Sequence, residues 1–169
     1  MRTKIFFLAL MALAAGLAAY AVFYRSAPLE PLPEIVFYDG NEKPVTLKFF
    51  SGRPALVNLW ATWCAPCVAE LPALDRLEKV FPGGGGLKVV AISLDRTSLK
   101  DVEAFLQRQG IGNLDVYWDK DRQVPLRWKY EGLPQSFLLD AKGRVVRVYI
   151  GPREWDQPGI IADIKAALP

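Results

Sequence analysis

The chain has 169 residues, 51% of them apolar and 23% charged, which suits one domain with a full hydrophobic core plus a short appendage. Its 21 basic and 18 acidic residues leave a net charge of +3, but Arg2, Lys4 and Arg25 carry that excess, so the charges balance from Ser26 onward. With no basic stripe, no acidic tail, no histidine and only two cysteines, the composition argues against nucleic-acid binding and against any histidine-based metal or catalytic site.

Arg2 and Lys4 precede an uncharged run, Ile5 to Tyr24, that Arg25 closes. Twenty residues of helix span about 30 Å, the thickness of a bilayer's hydrocarbon core. A cleaved signal peptide competes, because Ala19-Tyr20-Ala21 has the small-x-small form. The length of the run and the aromatic residues at its far end, Tyr20, Phe23 and Tyr24, favour an uncleaved transmembrane helix over residues 1–25. The positive residues ahead of it predict an amino terminus inside and the remainder outside, in the periplasm or another extracytoplasmic space. Residues 26–33 hold Pro28, Pro31 and Pro33 and read as an extended spacer of about 25 Å at about 3.1 Å per residue. Residues 34–169 are the expected folded domain.

Two strands are predicted first, Glu34–Tyr38 and Val45–Phe50, around the turn signal Asp39-Gly40-Asn41. Ser51-Gly52-Arg53-Pro54 breaks the chain before an apolar run from Ala55 to Ala61, which reads as a buried strand. Val68 to Phe81 carries Leu71, Leu74, Leu77 and Val80 at helical spacing. The glycine run Gly83 to Gly86 follows a helix and precedes a strand, the reverse of a phosphate-binding loop, and reads as a connector. Lys88–Asp95 is a second apolar strand. A helix follows, with Ser98 as N-cap, Asp101 completing a short capping box and Gly110 as its stop. Asp115–Trp118 is a short strand and Asp121–Tyr130 a helix with Pro125 near its start. Gln135–Asp140 and Arg144–Ile150 form a hairpin about Ala141-Lys-Gly143. A last helix, Gly159–Leu168, has Ile160, Ile161, Ile164 and Leu168 on one face. Helices between strands, closed by a hairpin, predict an α/β fold with a mixed central sheet.

Both cysteines lie in Trp60-Ala-Thr-Trp-Cys-Ala-Pro-Cys67, between a predicted strand and a predicted helix. The unpaired N–H groups and positive dipole end of a helix's first turn favour an anion, and a thiolate is one; a free thiol has a pKa of about 8.5 that this placement lowers. Pro66 suits a helix start, where a missing N–H costs least. The alternatives are a structural staple and half of a zinc site. A three-residue loop removes only roughly 2 kcal/mol of chain entropy, and no second pair of cysteines completes a metal site. Redox exchange is the stronger reading. Gly132-Leu-Pro134 stands just before a strand, where a cis proline leaves flanking backbone groups open to a visiting chain.

The two motifs together, Trp60 through Pro72 and Gly132-Leu-Pro134-Gln-Ser-Phe137-Leu-Leu-Asp140, resemble the thioredoxin superfamily, and within it the membrane-anchored TlpA/ResA/CcmG branch of thiol–disulfide oxidoreductases. The resemblance covers about Glu34 to Leu168. It implies a thioredoxin fold with an insertion around Thr97–Tyr117, and a cis Pro134 facing the cysteines. It also implies that Cys64 is the attacking and more exposed cysteine and Cys67 the resolving one, framed by Trp63 and Pro66. Glu70 matches an acidic residue that influences the cysteines' ionisation; its alternative is a solvated helix carboxylate. Pro72 matches a helix-kinking proline. Where thioredoxins keep a buried aspartate this chain has Asn58, which exchanges no proton at neutral pH, so Glu70 is the expected proton acceptor for Cys67.

The implied chemistry needs no cofactor and no metal. Cys64 attacks a client disulfide, Cys67 resolves the mixed disulfide, and Trp63, Leu133 and Pro134 line the docking surface. The implied partners are client proteins with disulfides, either apocytochrome c or a copper-site assembly protein, and a membrane thiol reductase of the DsbD/CcdA type. Rival readings are an oxidant or isomerase, a peroxiredoxin-like peroxidase, and a non-catalytic metal or protein chaperone. The peroxidase reading lacks its Pro and Thr, since Val57 and Ala61 stand at those places. The dipeptide Ala65-Pro66 lacks the histidine by which strong oxidants destabilise their disulfide.

Overall fold

The structure, a computed structural model, describes residues 31–81 and 86–168. The expected membrane span, the spacer up to residue 30 and most of the glycine connector lie outside the described residues. Among the described residues no helix is long and apolar enough to cross a membrane.

Seven strands form one mixed sheet: β1 (Phe37–Tyr38), β2 (Pro44–Val45), β3 (Ala55–Trp60), β4 (Lys88–Ser93), β5 (Val116–Trp118), β6 (Gln135–Leu139) and β7 (Val145–Ile150). Their order across the sheet is β2-β1-β5-β4-β3-β6-β7. β3, β4 and β5 are parallel, whereas β6 is antiparallel to β3 and β7 to β6. The helices are α1 (Ala65–Val80), α2 (Leu99–Arg108), α3 (Gln123–Arg127) and α4 (Pro158–Ala167). This is the mixed α/β architecture expected from the sequence, and the stretch 97–117 supplies α2 and the first two residues of β5.

β3 is central and wholly buried, which is why its sequence is a continuous apolar run. Its side chains alternate between two cores. Leu56 and Trp60 pack with α1, α2 and α4, against Leu71, Leu74, Val102 and Ile164. Val57 and Leu59 point the other way, toward Phe37, Phe50, Val124 and Trp128. Asn58 shares the parity of Leu56 and Trp60 and therefore faces α1. Its partner directly across the ladder in β6 is Ser136.

α1 continues through Pro72, which removes one intrahelical bond at a cost of about 3 kcal/mol. Leu71, Leu74 and Leu77 are fully buried from the same helix, and at roughly 1.5–3 kcal/mol each they outweigh that cost. α2 carries the predicted capping box: the Asp101 amide donates to Ser98 Oγ and Asp101 Oδ2 accepts from the Ser98 amide. Gly110 takes φ +71°, and the amides of Gly110 and Ile111 return to the carbonyls of Gln107 and Leu106, closing a Schellman motif that requires this backbone.

Three expectations are corrected, the first being the strand Glu34–Tyr38, of which only Phe37–Tyr38 pairs. Val45–Phe50 is not a strand: only Pro44–Val45 pairs, and Leu47–Phe50 is a 3₁₀ helix. Leu47 and Phe50 are three apart, so this helix turns both inward and leaves Phe49 out, which strand alternation cannot do. The helix expected over Asp121–Tyr130 is only Gln123–Arg127. The Asp119 carboxylate accepts from the amides of Gln123 and Val124 and sets its start, and Trp128 leaves it extended, donating its indole N–H to the Pro33 carbonyl at 2.7 Å. That bond, with Leu32 packed on the core, also joins the end of the expected spacer to the domain.

Candidate active site

The cysteine loop is built by a strand stopping and a helix starting within four residues. β3 ends at Trp60, the Cys64 amide donates back to the Ala61 carbonyl, and Cys64 becomes the N-cap of α1 with Pro66 in its first turn. Asp95, just past the end of β4, holds the loop in place. Its Oδ2 accepts from the Thr62 amide (2.9 Å) and Ser93 Oγ (2.7 Å), and its Oδ1 from Thr62 Oγ1 (2.6 Å).

Cys64 and Cys67 are joined in a disulfide with Cα atoms 5.3 Å apart. Cys64 Sγ accepts from the Cys67 amide at 3.3 Å, one of the free N–H groups of the first turn. The same donor is therefore in place for negative charge on Cys64 once the pair is reduced. Cys64 keeps 6% of its surface exposed and Cys67 none, while Trp63 beside them is 70% exposed. The Leu133-Pro134 bond is cis. Leu133 and Gly132 line the same cavity as Cys64, Trp63 and Pro66. The Pro134 carbonyl accepts from the Gly151 amide, which ties the cis bond to the end of β7.

Glu70 lies one helical turn beyond Cys67, a spacing that brings side chains within about 5–6 Å. It is buried, not solvated. Its Oε1 accepts from Asn58 Nδ2 at 2.8 Å, and its Oε2 from the Arg153 amide and the Trp155 indole N–H, each at 2.9 Å. Burial raises the carboxyl above its ordinary pKa, and these donors offset the rise only in part. Asn58 also donates to Ser136 Oγ at 2.9 Å, and its buried Oδ1 has no partner among the described residues. The amide that replaces the thioredoxin-type aspartate thus holds the carboxylate expected to replace it.

Asp95, Ser136, Arg153 and Trp155 did not stand out in the sequence. Asn58 and Ser136 had a signal, each being a polar residue inside a buried apolar run. Trp155 and the Arg153 amide had none, since they reach Glu70 across more than 80 residues of chain.

The family model described as Redoxin matches residues 28–168. The thiol–disulfide oxidoreductase ResA of Bacillus subtilis is 34% identical over 119 residues, spanning 70% of this chain and 65% of that protein. ResA of Geobacillus thermodenitrificans is 30% identical over 155 residues, 89% of this chain and 86% of that one. Among solved structures, a thiol:disulfide interchange protein of the thioredoxin family from Chlorobium tepidum superposes with a TM-score of 0.64 at 28% identity, covering 82% of this chain and 97% of that one. A thio-disulfide isomerase from Thermus thermophilus gives 0.65 at 26% identity, covering 83% and 96%.

Proposed function

This chain belongs to the Redoxin family and is a thiol–disulfide oxidoreductase of the thioredoxin superfamily's TlpA/ResA/CcmG-like branch, and on that premise we propose that it works as a membrane-tethered, extracytoplasmic reductant of client-protein disulfides. In the reduced enzyme the Cys64 thiolate attacks one sulfur of the client disulfide, forming a mixed disulfide and expelling the other client sulfur, which takes up a proton. Cys67 gives its proton to Glu70, attacks Cys64 Sγ and releases the second client sulfur. Two electrons pass from the cysteine pair to the client, and Cys64–Cys67 is left oxidised. Trp63, Pro66, Leu133 and Pro134 form the docking surface. A membrane thiol reductase of the DsbD/CcdA type returns the electrons, and the clients are apocytochrome c or a copper-site assembly protein.

The observation that carries this reading is a disulfide at the N-terminus of α1, its outer sulfur in a cavity and a buried carboxylate one turn beyond its inner sulfur. The tether and the compartment rest on the apolar run 5–24 behind Arg2 and Lys4, and on oxidising compartments being where a disulfide partner cycle operates. The test is trapping. A Cys67→Ser variant expressed in cells should accumulate covalent adducts that reductant releases, and a Cys64→Ser variant should form none. Full client reduction by Cys64→Ser would overturn the mechanism. A reduction potential well above thioredoxin's roughly −270 mV would make the enzyme an oxidant or isomerase instead.

A further inference from the structure

Building on the oxidoreductase reading, we propose that the docking groove selects clients carrying a carboxylate beside their disulfide, through Arg96 and Arg122. A cavity of about 550 Å³ opens at Cys64, with apolar walls from Trp63, Pro66 and Leu133 and both arginines among its lining residues. A second cavity, about 640 Å³, continues toward Arg108. Trp63, Leu94 and Arg96 line both, so the two are one groove on either side of the exposed indole.

Three carboxylates also line it, and each is already engaged. Asp95 is buried and holds Thr62 and Ser93; Asp119 is buried and caps α3; Asp101 is tied to Ser98 and Thr97. Among the described residues no ion pair involves Arg96, Arg108 or Arg122, and all three side chains are exposed. At the Cys64 end, the charges a visiting chain meets in solvent are therefore guanidinium groups, which pair with carboxylates through two parallel hydrogen bonds.

Arg122 gives an independent reason. It has φ +55° and ψ +36°, the left-handed region that glycine or asparagine occupies at less cost. Its side chain is not needed for the turn: the hydrogen bond that closes it runs from the Arg122 amide to the Asp119 carbonyl and survives any residue with an N–H. A bulky residue held in an unfavourable backbone conformation, at the rim of the reactive cavity, fits a side chain retained for what it contacts.

The test uses the reduced full chain in detergent and three synthetic peptides, each with one intramolecular disulfide flanked by neutral residues, by glutamates or by lysines. At about 20 mM salt the glutamate peptide should be reduced roughly 5-fold faster than the lysine peptide, and the ratio should fall toward one at about 0.5 M. Arg96→Ser with Arg122→Gly should bring the ratio to about one, and Arg122→Gly alone should melt no lower than the parent, since glycine relieves the backbone. A ratio of one or less in the parent, or a ratio that survives the double variant, overturns the inference. Reduction of all three peptides at equal rates defeats it while leaving the oxidoreductase reading standing; reduction of none defeats both.

Discussion

Two carboxylates of α1, Glu70 and Asp75, are both buried and both bind backbone amides from distant loops, yet burial and hydrogen bonding displace their pKa in opposite directions. Asp75 accepts from three consecutive amides, Gly112, Asn113 and Leu114, and from Asn113 Nδ2. Burial alone would raise its carboxyl, but those donors outweigh burial and hold it below the ordinary range. Glu70 has one backbone amide, one indole and one side-chain amide, and for it burial wins. The lesson is that the balance of burial against donors decides whether a carboxylate is a fixed anion or one able to take a proton: Glu70 is the more deeply buried and has three donors, Asp75 the less buried and has four. Asp75 pins the loop after α2 to α1. Glu70 sits a turn from Cys67, where proton exchange is useful.

Asp75→Ala should produce the largest change. It leaves three amides of one loop without their acceptor, at about 1 kcal/mol each, so urea unfolding should show a loss of about 3 kcal/mol. Insulin reduction per folded molecule should stay within about two-fold, because no redox group is touched. A collapse of that rate would erase the division between the two sites.

Glu70→Gln should do the reverse. Turnover should fall about tenfold, equivalent to about 1.4 kcal/mol, with a measurable change in the Cys67 pKa of the reduced enzyme. Stability at neutral pH should change by less than about 1 kcal/mol, since the Asn58 amide can rotate and offer its unpartnered Oδ1 to the new –NH₂ group. A Cys67 pKa that does not move removes Glu70 from proton transfer.

The two carboxylates should also give stability slopes of opposite sign. Glu70 has a raised folded pKa, so its contribution is greatest below the ordinary carboxyl range and falls as pH rises through the raised value. Asp75 has a lowered one, so its contribution is present above the ordinary range and is lost as pH falls through the lowered value. Unfolding free energies of the oxidised protein, measured from about pH 3 to pH 8, should show this directly. The advantage of the parent over Glu70→Gln should decline as pH rises, and its advantage over Asp75→Ala should grow. Slopes of the same sign would break the comparison.

Ser136→Ala is the smallest expected effect, about 0.5–1 kcal/mol by denaturation, because Asn58 keeps its bond to Glu70. A loss of turnover as large as that of Glu70→Gln would show that Asn58 is oriented from Ser136 and not from the carboxylate.

Local patterns in the chain were enough for much of this. Apolar runs marked β3, β4 and β6, leucine spacing marked α1, the Ser98–Asp101 box marked α2, and Cys64-Ala-Pro-Cys67 at a strand–helix junction marked the redox pair. These follow from side-chain period and capping, which act within a few residues. Where a segment depended on a distant partner, the pattern misled: Leu47–Phe50 coiled into a 3₁₀ helix that turns Leu47 and Phe50 inward, and the helix after Asp119 stopped so that Trp128 could reach Pro33. The surroundings of Glu70 belong wholly to the tertiary structure. Its donors come from residues 58, 153 and 155, and only folding decides how many N–H groups meet a carboxylate in a place from which water has been excluded.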